Sequence, residues 1–400
     1  MAAKPKKSPT ISMSSPDITN KEREAVAAVL RTPNLSMGKQ IIAFEEAIRN
    51  FVNSKHAIGV SSGTAGLHLC LIAAGIEDGD YVITTPFSFI SSTNVILFER
   101  AIPIFVDIDP KTGNIDPQLL KEAITDLTTN EHAAKKWFPR TGASSYKPPK
   151  AILPVDVFGQ PADMSPINNI SRTHNLVVVE DSCEALGARY QGQSAGTLGD
   201  MGVFAFYPNK QITTGEGGIV VTNNDKYAKL IRSLRNQGRS PGDTWLSHTN
   251  LGYNYRLDEM SAALGAAQME RIDELLEKRR KVAHWYTERL LSLPEIETPQ
   301  IDPKTSTMSW FVYVIRFSPE IKRDNIASAL KERGIPVRPY FVPIHLQPYM
   351  VKRFGYRKGD YPITEDLGER GLALPFSGVM TEEQVDYVFN NIKNVLRKQY

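Results

Sequence analysis

A regular alternation of apolar strand-like segments with amphipathic helix-like segments is the feature that most constrains the fold. Strands are predicted at 57–60, 81–84, 104–108, 151–155 and 176–180, and helices at 64–74, 91–99, 117–126 and 165–174. The strand segments are nearly continuous apolar runs, which is typical of parallel strands covered on both faces. The pattern therefore predicts an α/β fold in which helices cover both faces of a mostly parallel sheet.

The length of 400 residues exceeds what one hydrophobic core usually supports, so we expect two domains. Residues 16–260 carry the alternation and are predicted as the large domain. Residues 261–400 mix isolated strands with helices and are predicted as a smaller C-terminal α+β domain. The longest helical region is predicted at 258–291. Residues 1–15 are basic without an apolar core, which predicts a flexible tail and not a signal peptide. Residues 127–150 show no clear period and are predicted as a surface loop or insertion.

The composition excludes several classes of function. The formal net charge is only +3, and Lys and Arg alternate with Asp and Glu, so no nucleic-acid surface is expected. No segment is long and apolar enough to span a bilayer, and we expect no membrane association. Cys70 and Cys183 lie in or beside apolar segments and are predicted to be free thiols in a reducing compartment, with no metal site. The expected location is the cytoplasm.

One lysine lies in a loop between two predicted strands. Residues 199–222 read G-D-M-G-V-F-A-F-Y-P-N-K-Q-I-T-T-G-E-G-G-I-V-V-T, with Lys210 between apolar ends. Lysine is seldom buried without a partner, and a strand–loop–strand frame would hold its amine in one place. An amine in a desolvated site is nucleophilic enough to bond a carbonyl carbon. The alternative is an ordinary surface lysine in a glycine-rich hairpin.

Two further segments carry polar groups at the ends of predicted strands. The run V-S-S-G-T-A-G-L-H-L ends a strand and opens a helix at Thr64, where free N–H groups make an anion site and Gly63 permits close approach. The alternative is an ordinary capped helix, and no Walker motif is present. Asp181 follows a buried strand at the carboxyl edge where α/β sheets bind ligands, although it could also be a helix cap or a surface ion pair.

Together these three segments suit one cofactor. Pyridoxal phosphate (PLP) needs a lysine for its aldehyde, an acid for its pyridine nitrogen and an anion site for its phosphate. Lys210, Asp181 and the Gly63–Thr64 turn supply these groups. Phe89 follows the next strand and could stack on the ring, or it could be a plain core aromatic.

At these residues the sequence resembles the DegT/StrS-type sugar aminotransferases, a family of fold type I PLP-dependent transferases. The resemblance covers nearly the whole chain from about residue 16. It includes S-S-G-T-A-G-L-H-L, V-D-I-D-P, F-G-Q-P-A-D-M, E-D-S-C-E-A-L-G-A, N-K-Q-I-T-T-G-E-G-G, L-G-Y-N-Y-R-L-D-E and H-L-Q-P-Y. The N-K-x-x-T-T-G-E-G-G run is the most specific of these motifs.

The resemblance implies roles for individual residues. Lys210 matches the lysine that bonds the cofactor aldehyde, and Asp181 matches the acid at the pyridine nitrogen. The other matches are Gly63, Thr64 and Ala65 for the phosphate turn, Phe89 for ring stacking, Glu184 near the ring hydroxyl, Asn254 for the phosphate of the neighbouring subunit, and Tyr340 and His345 for the sugar pocket. The Asn254 match implies a homodimer with shared active sites.

Three residues depart from the common family pattern. Ala205 stands where many members have a serine that contacts the phosphate, so that contact is expected to be missing. Glu184 stands where many have Gln or His, and a charged Glu would repel a phenolate, so it is expected to be protonated or turned aside. Asp156 replaces a common His and is expected to alter substrate choice.

The resemblance implies an aminotransferase that moves an amino group from L-glutamate to a nucleotide-linked keto-sugar, with a 4-keto-6-deoxyhexose expected. The product would be an amino sugar for cell-surface polysaccharide or a secondary metabolite. The alternatives are transamination of a free cyclitol ketone and a PLP-binding regulator without turnover. A related branch that dehydrates sugars carries His in place of the lysine, so Lys210 argues against it.

Overall fold

The computed structural model of the chain describes residues 9–143, 146–240, 242–244 and 246–399. In chain order, the helices are α1 (Asn20–Leu30), α2 (Lys39–Val52), α3 (Gly63–Ala73), α4 (Ser91–Phe98), α5 (Pro117–Thr129), α6 (Glu131–Ala134), α7 (Met164–His174), α8 (Asp225–Leu234), α9 (Glu259–Met269), α10 (Ile272–Leu290), α11 (Arg323–Glu332), α12 (Pro348–Phe354), α13 (Pro362–Arg370) and α14 (Glu382–Gln399). Single 3₁₀ turns lie at Val157–Gly159 and Ile344–Leu346. Over these same ranges, no helix is both long and apolar enough to cross a membrane.

The strands group into three sheets. They are β1 (His56–Val60), β2 (Tyr81–Thr84), β3 (Ile102–Phe105), β4 (Ala151–Ile152), β5 (Val177–Asp181), β6 (Arg189–Tyr190), β7 (Gln193–Ser194), β8 (Met201–Ala205), β9 (Gly218–Thr222), β10 (Ile296–Glu297), β11 (Thr305–Thr307), β12 (Tyr313–Phe317) and β13 (Gly371–Leu374). Among the described residues, the central sheet has seven strands in the order β1-β9-β8-β5-β4-β2-β3, and the two smaller sheets are β10-β12-β13 and β11-β6-β7.

The central sheet is mostly parallel, as the sequence predicts. Strands β2, β3, β4, β5 and β8 pair in parallel, whereas β9 runs antiparallel to both β1 and β8. The chain turns back after β8, so that Gly218 at the start of β9 pairs with Ala205 at the end of β8 and no crossover is made. The carboxyl ends of β1, β5 and β8 therefore share one edge of the sheet with the start of β9.

Successive side chains of a strand point to opposite faces of the sheet, and both faces of the central sheet are buried. In β9, Val220 faces the core that contains α3, whereas Ile219 and Val221 face the core that contains α2 and α9. Each fully buried aliphatic side chain stabilises the fold by about 1.5–3 kcal/mol. Helix α3 lies close to the sheet because Gly66 has no side chain: a Cβ there would lie 2.8 Å from Val203 Cγ1. This close packing places the first residues of α3 at the edge where the strands end.

The C-terminal part of the chain has its own hydrophobic cluster, in which α10, α11 and α14 pack against β12 and β13. The division at residue 260 stays a prediction. Within the predicted tail, residues 1–8 lie outside the described residues. Ile11 is buried in the C-terminal cluster, and the Met13 carbonyl accepts a hydrogen bond from the Phe376 N–H at 2.9 Å.

Two sequence predictions of local structure are wrong. The helix predicted at 258–291 is two helices, α9 and α10, separated at Glu270 and Arg271. The Arg271 guanidinium donates hydrogen bonds to Glu22 and Asp17, which fixes the break against the N-terminal segment. The predicted loop at 127–150 begins as the end of α5 and the short helix α6; residues 144 and 145 lie outside the described residues. A tertiary contact overrides the local pattern at Arg271, whereas α6 is capped locally by the Asn130 side chain.

Candidate active site

A cavity of about 520 Å³ opens at the edge where β1, β5 and β8 end. It collects seven of the site residues predicted from the sequence: Gly63, Thr64, Phe89, Asp181, Glu184, Lys210 and Tyr340. The other three, Ala65, Asn254 and His345, do not line it. The carboxyl edge of the parallel strands is where α/β sheets bind ligands, and residues distant in sequence converge there.

Lys210 lies in a loop that short backbone hydrogen bonds hold between β8 and β9. The Lys210 N–H donates to the Tyr207 carbonyl at 2.9 Å, and the Thr214 N–H donates to the Phe206 carbonyl at 3.0 Å. The Phe206 N–H in turn donates to the Gly217 carbonyl at 3.0 Å. The loop is therefore a closed frame, as the strand–loop–strand pattern predicts.

The Lys210 amine has two close partners. Its Nζ lies 3.5 Å from Oε1 of Glu184 and 3.8 Å from the centre of the Phe311 ring, and the side chain is 13% exposed. A carboxylate and an aromatic face both stabilise an ammonium ion. Burial raises the pKa of Glu184, and the positive charge of Lys210 opposes that shift.

Asp181 presents a carboxylate without a basic partner. It is the last residue of β5 and only 6% exposed. Its Oδ2 accepts a hydrogen bond from Ser92 Oγ at 2.6 Å, and its Oδ1 accepts one from the Cys183 N–H at 3.2 Å. Within the described ranges, no Lys, Arg or His forms an ion pair with it. A buried carboxylate that has hydrogen bonds but no ion pair suits a cationic ligand group, such as a protonated pyridine nitrogen.

Asp156 lies behind this carboxylate and does not line the cavity. It is almost fully buried; its Oδ2 accepts from Ser182 Oγ at 2.5 Å and its Oδ1 from the Ala162 N–H at 2.9 Å. Burial raises the pKa of Asp156 to about 7. The position gives it no direct contact with a substrate in the cavity, so the expectation that it alters substrate choice gains no support.

The turn before α3 lines another part of the cavity, through Ser62, Gly63 and Thr64. Ser62 Oγ accepts the Ala65 N–H at 3.0 Å and so caps the helix, and Thr64 Oγ1 donates to Ser91 Oγ at 2.9 Å. The Ala65 amide is thereby occupied by the helix cap. A Cβ on Gly63 would lie 2.7 Å from both Ala205 Cβ and Cys183 Sγ. Gly63 is therefore required for this turn to pack against β8.

Aromatic residues form the remaining walls. Phe89 is 62% exposed although its neighbour Phe87 is buried, so the large ring of Phe89 is presented to the cavity. The Tyr340 ring stacks on Phe341 with centroids 4.9 Å apart. Burial raises the pKa of the Tyr340 hydroxyl, and the negative charge of Glu184 adds to that shift.

His345 and Asn254 lie away from the cavity. His345 is fully buried: its Nε2 is 2.9 Å from Oε1 of Glu365 and its ring packs edge-on against Tyr361. This position does not support the predicted contact with a sugar. Asn254 is exposed, on the loop that precedes α9, and pairs through its backbone with Asn236. Its side chain is free to meet another molecule.

The sequence reasoning missed three residues at the site. Ser92 hydrogen-bonds Asp181, Phe311 lies against the Lys210 amine, and Arg338 lines the cavity. Phe311 and Arg338 come from segments at least 100 residues after Lys210 in the chain. No local periodicity connects such residues to the site. The Ser92 hydroxyl at the start of α4 is the one that the strand–helix pattern could have indicated.

The sequence profile of the DegT/DnrJ/EryC1/StrS aminotransferase family matches residues 16–393. The chain belongs to this family. The GDP-perosamine synthase of Caulobacter vibrioides is 38% identical over 391 residues, which cover 97% of this chain and 99% of the relative. A protein of Geobacillus stearothermophilus named as a pleiotropic regulatory protein is 37% identical over 374 residues, which cover 92% of each chain.

Solved structures give the same result. The Helicobacter pylori aminotransferase of pseudoaminic acid biosynthesis superposes with a TM-score of 0.86 at 27% identity, covering 98% of this chain and 100% of that one. The protein is thus a PLP-dependent sugar aminotransferase of fold type I, which confirms the predicted family, fold class and cofactor. The site fits PLP: an amine, an unpaired carboxylate and an anion-binding turn line one cavity.

Proposed function

We propose that this aminotransferase moves an amino group from L-glutamate to a nucleotide-linked keto-sugar, with a 4-keto-6-deoxyhexose as the expected acceptor. The observation that carries the proposal is the convergence of Lys210, Asp181 and the Gly63–Thr64 turn on one cavity. The similarity to a relative named for a GDP-linked product supports a nucleotide-linked substrate. The amino sugar would serve a cell-surface polysaccharide or a secondary metabolite.

The chain's own residues hold PLP at three points in this proposal. Lys210 would bond the aldehyde carbon, Asp181 would keep a proton on the pyridine nitrogen, and the N–H groups at the Gly63–Thr64 turn would bind the phosphate. Phe89 would cover one face of the ring. When bound, PLP supplies an electron-withdrawing ring that stabilises negative charge on the carbon losing its proton. Ala205 offers no hydroxyl, so the phosphate depends more on the turn.

Lys210 also moves the proton. Its Nζ would take the proton from the substrate carbon that carries nitrogen and deliver it to C4′ of the cofactor. Glu184 and Phe311, at 3.5 Å and 3.8 Å, hold the amine when it is not bonded. Burial raises the pKa of Glu184, which favours its neutral form and would reduce repulsion with a phenolate at the ring hydroxyl.

Arg338 suits the carboxylate of an amino-acid donor. Its side chain lines the cavity and forms no ion pair with the described part of the chain. An adjoining cavity of about 210 Å³ shares Arg338, Tyr340, Asn209 and Phe311 with the main one. A guanidinium binds a carboxylate through two parallel hydrogen bonds. This small space, which adjoins the cavity that contains Lys210, fits a donor such as glutamate better than a nucleotide.

A homodimer would complete the site. Asn254 is exposed on the loop that also carries Leu251, which is 90% exposed, and Leu246, which is 82% exposed. These exposed side chains leave apolar surface on this loop that a partner subunit would cover in the proposed dimer. In the proposed dimer, Asn254 reaches the PLP phosphate of the partner subunit.

The decisive experiment is a panel of nucleotide-linked keto-sugars and free cyclitol ketones incubated with glutamate, PLP and the purified chain, with products read by mass spectrometry. We expect amination of a nucleotide-linked keto-sugar and no amination by Lys210→Ala. Amination of cyclitols alone would replace the nucleotide-linked keto-sugar by a free cyclitol ketone as the acceptor.

The similarity to a protein named as a regulatory protein supports a second candidate function, a PLP-binding regulator without turnover. A chain that binds PLP, yet leaves glutamate unchanged, would be such a regulator.

A further inference from the structure

Arg279 is a buried guanidinium that none of the roles above uses. It lies on α10 and is 3% exposed. Burial lowers its pKa to about 10, so it stays charged at neutral pH. No carboxylate forms an ion pair with it anywhere in the described ranges. A buried charge is costly unless other polar groups compensate it.

Four backbone carbonyls provide that compensation, and they belong to two separate segments. Arg279 Nη2 donates hydrogen bonds to the carbonyls of Asn209, at 3.0 Å, and of Lys210. Arg279 Nη1 donates to the carbonyls of Trp310, at 3.3 Å, and Phe311, at 3.1 Å. The flat guanidinium therefore bridges the loop that carries Lys210 and the segment that carries Phe311.

The bridge meets the reactive amine directly, because the Phe311 ring centre is 3.8 Å from Lys210 Nζ. Gln211 makes a second connection: its Nε2 donates to the Glu184 carbonyl at 2.6 Å and to Ser309 Oγ at 2.9 Å. Gln211 holds the far side of the loop and leaves the carbonyls of Asn209 and Lys210 to Arg279.

We propose that Arg279 is a positioning residue for amino transfer, whose four carbonyl bonds hold the Lys210 loop against the Phe311 segment and so fix where the amine reaches. This inference rests on the role of Lys210 in the proposed function. Arginine is suited to it because its donors lie in one rigid plane. A lysine ammonium is a single point and cannot span both pairs of carbonyls.

Two substitutions separate the bridge from the bulk of the side chain. Arg279→Met keeps an unbranched chain and removes every donor, whereas Arg279→Lys keeps the charge. Arg289→Met is the matched control, because Arg289 lies on the same helix and pairs with Asp386 and Glu382, away from the Lys210 loop. All are made in the full chain and measured with and without PLP.

The first readout is amide hydrogen exchange, which needs no turnover. In Arg279→Met, peptides covering 206–217 and 309–313 should exchange at least about tenfold faster, with Arg279→Lys intermediate. Arg289→Met should leave both peptides as in the wild type. The second readout is kinetic: kcat should fall about tenfold to a hundredfold in Arg279→Met with KM within about twofold, because a misplaced reactive group slows the chemical step.

Unchanged exchange in both peptides, or equal kcat for Arg279→Met and the wild type, would overturn the inference. Wild-type exchange in Arg279→Lys would overturn it as well, since a single charge would then suffice. If Arg279→Met does not fold, Arg279→Lys against Arg289→Lys decides by the same peptides. Failure of the proposed function has a different signature: the wild type itself would aminate no keto-sugar, while the exchange results would stand.

Discussion

The contact between Gly63 and Ala205 makes the phosphate turn open to a quantitative test. Gly63→Ala adds a Cβ that would lie 2.7 Å from Ala205 Cβ and from Cys183 Sγ. The Cys183 sulfur could rotate, but Ala205 Cβ is fixed to the backbone of β8. Ala205→Gly removes that fixed atom, and the double variant Gly63→Ala/Ala205→Gly should therefore recover much of what Gly63→Ala loses.

The magnitude follows from contact distances. Carbon atoms pack at about 3.5–4.0 Å, so the start of α3 or the end of β8 must move by about 1 Å to accept the new Cβ. Overpacking of this kind costs about 1–3 kcal/mol. If the start of α3 moves and PLP binding requires its original position, restoring that position costs up to the same amount, about 1–3 kcal/mol. PLP binding is then weakened by up to roughly 5- to 150-fold. Ala205→Gly by itself costs about 0.5–1 kcal/mol as a glycine in a strand.

The assay is a double-mutant cycle with two measurements per protein. Urea unfolding of the PLP-free chain gives stability, and titration of PLP followed by absorbance gives the dissociation constant. We expect Gly63→Ala to lose on both scales and the double variant to regain at least half of each loss, which is a favourable coupling between contacting residues.

Two results would refute the reasoning. Wild-type stability and wild-type PLP affinity in Gly63→Ala would show that the turn has room for a Cβ. Simple addition of the losses of Gly63→Ala and Ala205→Gly would show that the cost does not arise at their contact.

Three further predictions concern charged groups. Asp181→Asn should still bind PLP but lower kcat by roughly 10²- to 10⁴-fold, because losing a buried charge partner costs about 3–5 kcal/mol; turnover within tenfold of the wild type would remove Asp181 from its role. Arg338→Gln should raise the KM for glutamate roughly 10- to 150-fold and leave that for the keto-sugar within about twofold, since a charged hydrogen bond contributes about 1.5–3 kcal/mol; an effect on the keto-sugar alone would assign Arg338 to the acceptor. Burial raises the pKa of Asp156 from 3.8 to about 7, so its contribution to stability is complete below about pH 4 and is lost as the pH rises through about 7. Urea unfolding at pH 5 and pH 8 should therefore show a smaller loss of stability in Asp156→Asn than in the wild type, and equal losses would contradict the assignment.

The residues that the sequence predicts correctly as neighbours share one property: each lies next to the end of a strand in the same sheet. Gly63 comes shortly after β1, Asp181 ends β5, and Lys210 follows β8. Because parallel strands place their carboxyl ends at one edge, locating the strands suffices to bring these residues together. Local patterns carry this information, so the sequence predicts that these three residues meet at one cavity.

The other wall of the cavity depends on packing that no local pattern records. Phe311, Arg338 and Tyr340 come from the C-terminal part of the chain. The Phe311 carbonyl accepts from Arg279 of α10, Arg338 pairs through its backbone with Ala373 of β13, and the Tyr340 ring stacks on Phe158. Tyr340 was predicted through the family resemblance alone. His345, five residues later and predicted in the same way, lies buried against Glu365 instead. Within such a segment, residues only five positions apart lie in different environments, one in the cavity wall and the other in the core.

The division of the site between two parts of the chain gives the buried charge at position 279 a physical reason. The amine of Lys210 belongs to the strand framework, whereas its aromatic neighbour Phe311 belongs to the C-terminal segment, and the two must keep a separation of 3.8 Å. An apolar residue at position 279 would avoid burying a charge but would leave four carbonyls from both parts without these donors. Burying the guanidinium costs free energy, but its hydrogen bonds fix the two parts to each other at the reactive amine.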